Sequence, residues 1–258
     1  MLNKILLVGA MGLVASSVVL ADGAYLGAGV GSSALFTKNT NTGTITASND
    51  SLVVTGDSTD DNGNIGFNGT VLGGYRWSLP HQFVLGVEAF DNVSSAKAAA
   101  NNNTATSVEL PNDFGIDIGV DDITSNSTTD TKINNVYGLR FLPGYQISQD
   151  VEVHAILGYA RAHAQVNTST SFSSNDLEIG TGSGSTESSA NFNGYQLGMG
   201  SIAQLTEHLS LRGDIIYTGY RSQTVNDSFS TGAGTATGSV DLTMSTLEGN
   251  VDLVYSFS

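Results

Sequence analysis

Apolar and polar residues alternate with a period of two in eight segments of this chain. The clearest segment is 247–257, where every second residue is apolar, aromatic or glycine and the residues between are mostly polar or small. Successive side chains of a β-strand point to opposite faces, so the pattern predicts a strand with one apolar and one polar face. The same pattern recurs in seven further segments: 24–36, 64–77, 83–90, 133–145, 151–160, 191–205 and 209–220.

The connections between these strands alternate in length. Short connections are expected at 78–82, 148–150 and 206–208, and long loops at 38–63, 94–131, 165–190 and 222–239. Aromatic residues lie near strand ends, at Trp77, Phe83, Tyr145, Tyr217, Tyr255 and Phe257. Short turns, long loops and aromatic girdles are typical of membrane barrels. The prediction is an all-β fold, an eight-stranded antiparallel up-and-down transmembrane β-barrel. A soluble β-sandwich is the alternative, since its strands also alternate.

One predicted loop contains an alternating piece of its own. Phe114, Ile116, Ile118 and Val120 are separated by glycine and aspartate. Three interpretations of this piece are compatible with the sequence: a strand that extends the barrel above the membrane, half of an extra hairpin that makes ten strands, or an exposed contact patch.

The composition favours a membrane protein and excludes nucleic-acid binding. Charged residues make up 13% of the chain, about half of the ~25% found in soluble domains. The net charge of −15 is opposite to the basic surface that nucleic-acid binding requires. The chain has no cysteine, so it has neither disulfides nor thiolate metal ligands.

The first 21 residues have the form of a cleaved signal peptide. Lys4 precedes an apolar run, and Val19 and Ala21 provide the residues expected before a cleavage site. A membrane anchor is the alternative. After residue 21 no apolar stretch of about 20 residues follows that would predict a membrane-spanning helix. The mature domain is predicted to be a single barrel domain, residues 22–258.

Three stretches carry a family resemblance: 24–29 (AYLGAG), 73–76 (GGYR) and 251–257 (VDLVYSF). With the signal peptide and eight strands, they resemble the small outer-membrane barrels of Gram-negative bacteria, the OmpA-like transmembrane domain and the opacity-type surface proteins. The resemblance implies location in the cell outer membrane, with outer-membrane lipid, lipopolysaccharide and the barrel-assembly machinery as partners. It also implies a C-terminal assembly signal at Val251, Leu253, Tyr255 and Phe257.

The polar faces of the strands define a candidate lumen site. Its predicted charged residues are Arg76, Glu88, Arg140, Glu152, His154, Arg212, Asp214, Glu248 and Asp252. Glu88 and Arg140 are expected at similar depth, and Arg212 is expected to be the main cationic partner of Glu248 and Asp252. A buried charge needs a partner, so the first interpretation is an ion-pair plug. The second is a gate whose pairs exchange to open a channel.

Other chemistry has little support in the sequence. His163 is the one histidine expected near the outer rim, and no diagnostic serine motif accompanies it, so no enzyme activity is expected. The acidic run 57–63 lacks the glycine and glutamate positions of a calcium loop. We therefore expect no metal and no cofactor.

The expected function is structural or adhesive. An outer-membrane surface protein would present its acidic, Asn/Ser/Thr-rich loops to a host or matrix ligand. The alternative is a small-solute or ion channel, porin-like, gated by the lumen salt bridges.

Overall fold

A computed structural model of the chain describes residues 23–47, 53–108, 121–174, 181–231 and 234–257. Within these ranges, ten strand segments form one antiparallel sheet. They are β1 (Ala24–Ala47), β2 (Val53–Ser78), β3 (Phe83–Ser94), β4 (Lys97–Val108), β5 (Asp121–Gln146), β6 (Val151–Ser174), β7 (Thr181–Gln204), β8 (Leu209–Tyr220), β9 (Gln223–Thr231) and β10 (Gly234–Ser256). A short 3₁₀ turn, Pro80–Gln82, joins β2 to β3. No helix in these ranges is long and apolar enough to cross a membrane.

Eight of the strands close into a ring. The order is β1, β2, β3, β5, β6, β7, β8 and β10, and β10 pairs with β1 to complete the circuit. Following the paired residues once around the ring from Tyr25 leads back to β1 at Leu35, ten residues further along. Closed barrels combine such a stagger with a strand tilt of about 35–45°. The predicted eight-stranded antiparallel barrel is therefore confirmed.

The two remaining segments continue strands of the ring. β4 follows β3 after a break at Ser95 and pairs with the outer part of β5. β9 follows β8 after a break at Arg221 and pairs with the outer part of β10. The ring therefore has eight strands and not ten, because neither segment inserts between two ring strands.

The outer wall of the barrel is apolar. Burial alternates residue by residue along β3 and β8, as the period-two pattern predicts. Large apolar side chains point outward and are strongly exposed, including Val30 at 71% and Phe67 at 82%. Charged side chains such as Glu88 and Arg212 point inward and are buried. This is the reverse of a soluble protein and is the arrangement of a transmembrane barrel.

Two aromatic belts border the apolar wall. The lower belt lies beside the short turns and includes Trp77, Phe83, Tyr145, Tyr255 and Phe257. The upper belt contains Tyr137, Tyr159, Tyr195 and Tyr217. Tyr137 and Tyr145 are eight residues apart on β5, about 27 Å along a strand. Strand tilt reduces this to a thickness of about 20 Å, close to the ~25 Å apolar band of outer-membrane barrels.

Above the upper belt the barrel wall separates into two sheets. In the described pairings, β4 bonds only to β5 and β9 only to β10. The outer parts of β4, β5, β6 and β7 therefore form one four-stranded sheet, and those of β9, β10, β1 and β2 form the other. The outer strands are long: β6 continues for 15 residues beyond Tyr159.

These long outer strands differ from the sequence prediction. Most of the predicted loops 38–63, 94–131, 165–190 and 222–239 is strand, because β1, β2, β4, β5, β6, β7, β9 and β10 all extend into them. Their Asn, Ser and Thr content indicated irregular loops. Threonine, however, is a good strand former, and each segment finds a neighbouring strand that satisfies its backbone groups.

Two sequence predictions concern residues outside the described ranges. The signal peptide, 1–21, precedes the described residues. The alternating piece 114–120 lies between β4 and β5, outside the described ranges.

Candidate functional site

Glu88, on β3, is the centre of the charged network in the barrel lumen. Its Oε1 accepts a hydrogen bond from Arg140 Nη1 at 3.2 Å, and its Oε2 accepts one from Arg212 Nη1. The Tyr25 hydroxyl donates to Oε2 at 3.0 Å. All four side chains are buried. One carboxylate thus joins β1, β3, β5 and β8 across the lumen.

The two arginines extend this network in different directions. Arg212 Nη2 forms an ion pair with Asp214 Oδ2 at 2.6 Å, and Asp214 Oδ1 lies 3.1 Å from His154 Nε2. Arg140 Nε donates to Gln196 Oε1 at 2.9 Å, and its guanidinium lies 3.7 Å from the centroid of the Phe90 ring. With these contacts the network also reaches β6 and β7.

Glu248 and Asp252 are not paired as the sequence predicted. Asp252 is the register partner of Arg212, yet both ion pairs that Arg212 forms within 4 Å are to Glu88 and Asp214. Glu248 instead accepts a hydrogen bond from Asn92 Nδ2 at 3.0 Å. Arg212 therefore lies opposite Asp252, as expected, but the stagger of the ring also brings Glu88 to it across the lumen, and sequence alone does not define that stagger.

The fully buried part of the lumen holds more carboxyl groups than guanidinium groups. Four carboxylates (Glu88, Asp214, Glu248, Asp252) accompany two guanidiniums (Arg140, Arg212). Among the described residues, no cationic group lies within 4 Å of Glu248 or Asp252.

Arg76 and Glu152 form a separate pair at the end of the lumen near the short turns. Arg76 Nη1 lies 3.2 Å from Glu152 Oε2, and both side chains are more exposed than the central group. Beside this pair is a cavity of about 20 Å³. That volume holds about one water molecule, so the cavity does not form a path for solutes.

An apolar layer closes the lumen beyond the charged network. Leu35, Ile133, Phe192, Leu242 and Met244 point inward and are at most 1% exposed. This layer joins the two outer sheets face to face. The lumen is therefore filled by a charged layer and then by an apolar layer. The sequence prediction contained only the first.

The sequence contained a signal for the apolar layer. Leu242 and Met244 lie at the same alternate positions of β10 as Glu248 and Asp252, so they continue the inward face. On β5 the alternation is interrupted by a register shift between Ile133 and Asn135. This bulge turns Ile133 inward, where simple alternation places Asn134.

The other predicted residues have clear positions but untested roles. Val251, Leu253, Tyr255 and Phe257 lie on the outward face at the closing strand, each about half exposed, and their role as an assembly signal stays a prediction. His163 points outward, and its Nδ1 lies 3.2 Å from Asn191 Oδ1.

Comparison with known proteins gives similarity in fold only. No protein-family model matches the sequence, and no curated protein matches it. Among solved structures, the outer membrane protease OmpT from Escherichia coli is similar at 11% identity, covering 94% of this chain and 100% of that one, with a TM-score of 0.41.

Two further barrels are similar at lower scores. Ail, the attachment invasion locus protein of Yersinia pestis, solved with a heparin analogue, shares 12% identity over 84% of this chain and 98% of that one, with a TM-score of 0.27. Neisserial surface protein A shares 10% identity over 83% and 95%, with a TM-score of 0.25. None of these likenesses bears on the role of this chain.

Proposed function

We propose that this chain is an outer-membrane surface protein with a structural and adhesive role. In this proposal the barrel is a closed anchor, and the two outer sheets carry a recognition surface away from the membrane. The filled lumen is the observation that carries the proposal, because a charged layer and an apolar layer both obstruct it.

The shape of the wall supports location in the outer membrane and the proposed orientation. The apolar wall and its two belts match an outer-membrane bilayer, and short turns at one end with long extensions at the other match the usual periplasmic and outer sides. The first and last strands meet at the short-turn end, where Phe257 N donates to Ala24 O at 2.9 Å. Outer-membrane lipid, lipopolysaccharide and the barrel-assembly machinery are the proposed partners, after export by the signal peptide.

A gated channel is less well supported than a closed anchor. Opening would require Glu88 to leave Arg140, Arg212 and Tyr25 together, since all three contact one carboxylate. Separating a buried ion pair costs about 3–5 kcal/mol, and the apolar layer would still obstruct the lumen.

The proposed role is binding rather than catalysis. His163 pairs with an amide at the outer wall. His154 is buried beside Asp214, with Arg212 as the next group. In this proposal neither histidine activates a nucleophile.

The adhesive role is tested through the connection between β4 and β5. We expect that replacing residues 109–120 by Gly and Ser residues of equal number lowers attachment of expressing cells to host cells or matrix at least about threefold. The reason is that this connection carries the alternating apolar residues Phe114, Ile116 and Ile118, and apolar residues in a connection between strands are a candidate contact patch. The measurement is a count of adherent cells at equal surface expression.

The matched control replaces residues 175–180, the connection between β6 and β7, in the same way. This control is expected to attach like the parent. Equal attachment by both variants and the parent would contradict the adhesive role of 109–120.

A further inference from the structure

The cations on the outer wall are concentrated just above the upper aromatic belt. The chain has nine lysines and arginines. One is in the predicted signal peptide, and three, Arg76, Arg140 and Arg212, are in the lumen. The other five point outward above the upper belt: Lys38, Lys97, Lys132, Arg161 and Arg221. In a chain of net charge −15, this distribution identifies one basic band.

Arg161 and Arg221 form the first part of this band. Arg161 is the register partner of Tyr137 on β5 and of Asn193 on β7. The backbone N–H of Arg221 donates to Asn193 O at 2.9 Å, so the two arginines lie on either side of Asn193. Arg221 Nη2 also donates to the Tyr195 hydroxyl at 3.3 Å. Both arginines thus lie beside tyrosines of the upper belt.

Lys97 and Lys132 form the second part. They are direct register partners on β4 and β5, and both point outward. Like charges directly opposite each other on neighbouring strands are destabilising. Lys132 also pairs with Gln165 on β6. His163 and then Arg161 are the next outward-facing residues of β6 toward the membrane. The four cations and His163 therefore follow one continuous stretch of the wall.

The protein supplies little compensation for these charges. All five ion pairs found among the described residues lie in the lumen. The acidic groups on this part of the wall are Asp91, which is bonded to the Asn135 side chain, Asp130, the next outward-facing residue of β5 after Lys132, and Glu187 on β7. None of the three makes an ion pair with the four cations. The four cations are therefore free to bind an anion from outside the chain.

We propose that Lys97, Lys132, Arg161 and Arg221 bind the phosphate groups of an anionic glycolipid in the outer leaflet. Guanidinium groups bind phosphate through paired hydrogen bonds, and lysines bind it as point charges. Tyrosine belts lie at the level of lipid headgroups, so cations fixed directly above the belt meet lipid phosphates. The arginines and the lysines form two separated cation pairs, which fits a lipid with two phosphates. This inference rests on the proposed orientation, with the long extensions outside.

The test measures binding of bisphosphorylated lipid A to the detergent-solubilised barrel by native mass spectrometry. The variants are Lys97→Ala with Lys132→Ala, and Arg161→Ala with Arg221→Ala. Each pair of substitutions is expected to weaken lipid A binding at least tenfold. Lys38→Ala is the matched control, because Lys38 has the acidic Asp61 as its register partner on β2, and it is expected to bind like the parent.

Lipids with different headgroups, compared in the same experiment, identify the ligand. Monophosphorylated lipid A is expected to bind more weakly than the bisphosphorylated form, and phosphatidylcholine is expected not to compete. The inference is overturned if both double variants bind lipid A like the parent, if phosphatidylcholine competes equally, or if inorganic phosphate at millimolar concentration displaces the lipid. Heat-modifiable gel mobility of each variant is measured in parallel. If the parent protein shows no heat-modifiable mobility, the proposed barrel anchor is contradicted. That outcome is distinct from a folded barrel that does not bind lipid A.

Discussion

Replacing Glu88 by Gln is expected to lower the free energy of unfolding of the barrel by about 3–5 kcal/mol, the usual effect of breaking a buried ion pair. Glu88 is fully buried, and among the described residues its carboxylate is the one anionic group within 4 Å of Arg140. The variant leaves the Arg140 guanidinium buried with Gln196 and the Phe90 ring as its remaining partners. An uncompensated buried charge is the reason for the large effect.

Equilibrium unfolding in guanidinium chloride, in lipid vesicles, measures this change. The control is Glu152→Gln at the more exposed pair with Arg76, where we expect a loss below about 1 kcal/mol. A double-mutant cycle of Glu88→Gln and Arg140→Gln should also show coupling, because the two side chains are in direct contact. Equal, small losses for Glu88→Gln and Glu152→Gln would contradict a central role for Glu88.

Replacing Phe192 by Ala is expected to destabilise the outer sheets by about 3–5 kcal/mol, the usual cost of removing a buried aromatic ring. Phe192 is fully buried in the apolar layer that joins the two sheets. The charged layer lies nearer the short turns and keeps its contacts. The outer parts of β6 and β7 should therefore lose stability before the membrane-embedded parts do.

Hydrogen exchange of the backbone amides measures this difference along the strands. We expect faster exchange beyond Tyr159 on β6 and little change below it. The control is Asn191→Ala, whose side chain points outward on the same strand, with an expected change within about 0.5 kcal/mol. Uniformly faster exchange along the whole of β6 would show that the two layers do not unfold separately.

Much of the barrel was predictable from periodicity alone. Alternation in 83–90 and 209–220 places Glu88, Arg212 and Asp214 on one side of their strands, and the structure has them on that side. Alternation defines the face of a side chain but not its neighbours across a lumen. The contact between Glu88 and Arg212 depends on the ten-residue stagger of the ring, which local sequence does not contain.

The outer sheets were the main feature that the sequence did not predict. Their strands are rich in Thr, Ser and Asn, and such composition is common in loops. Pairing with long neighbours makes them strands, and inward residues such as Phe192 and Leu242 hold the sheets together. These apolar residues are few and widely spaced in sequence, and they form one layer only when β7 and β10 face each other.

Single-channel recording in planar bilayers measures whether the lumen is closed. The purified full chain is inserted, and its folded state is verified by heat-modifiable gel mobility. The charged and apolar layers predict a conductance no higher than that of the protein-free bilayer. Reproducible single-channel steps from the folded protein, abolished or altered by Arg140→Ala, would contradict the closed anchor and favour a gated channel.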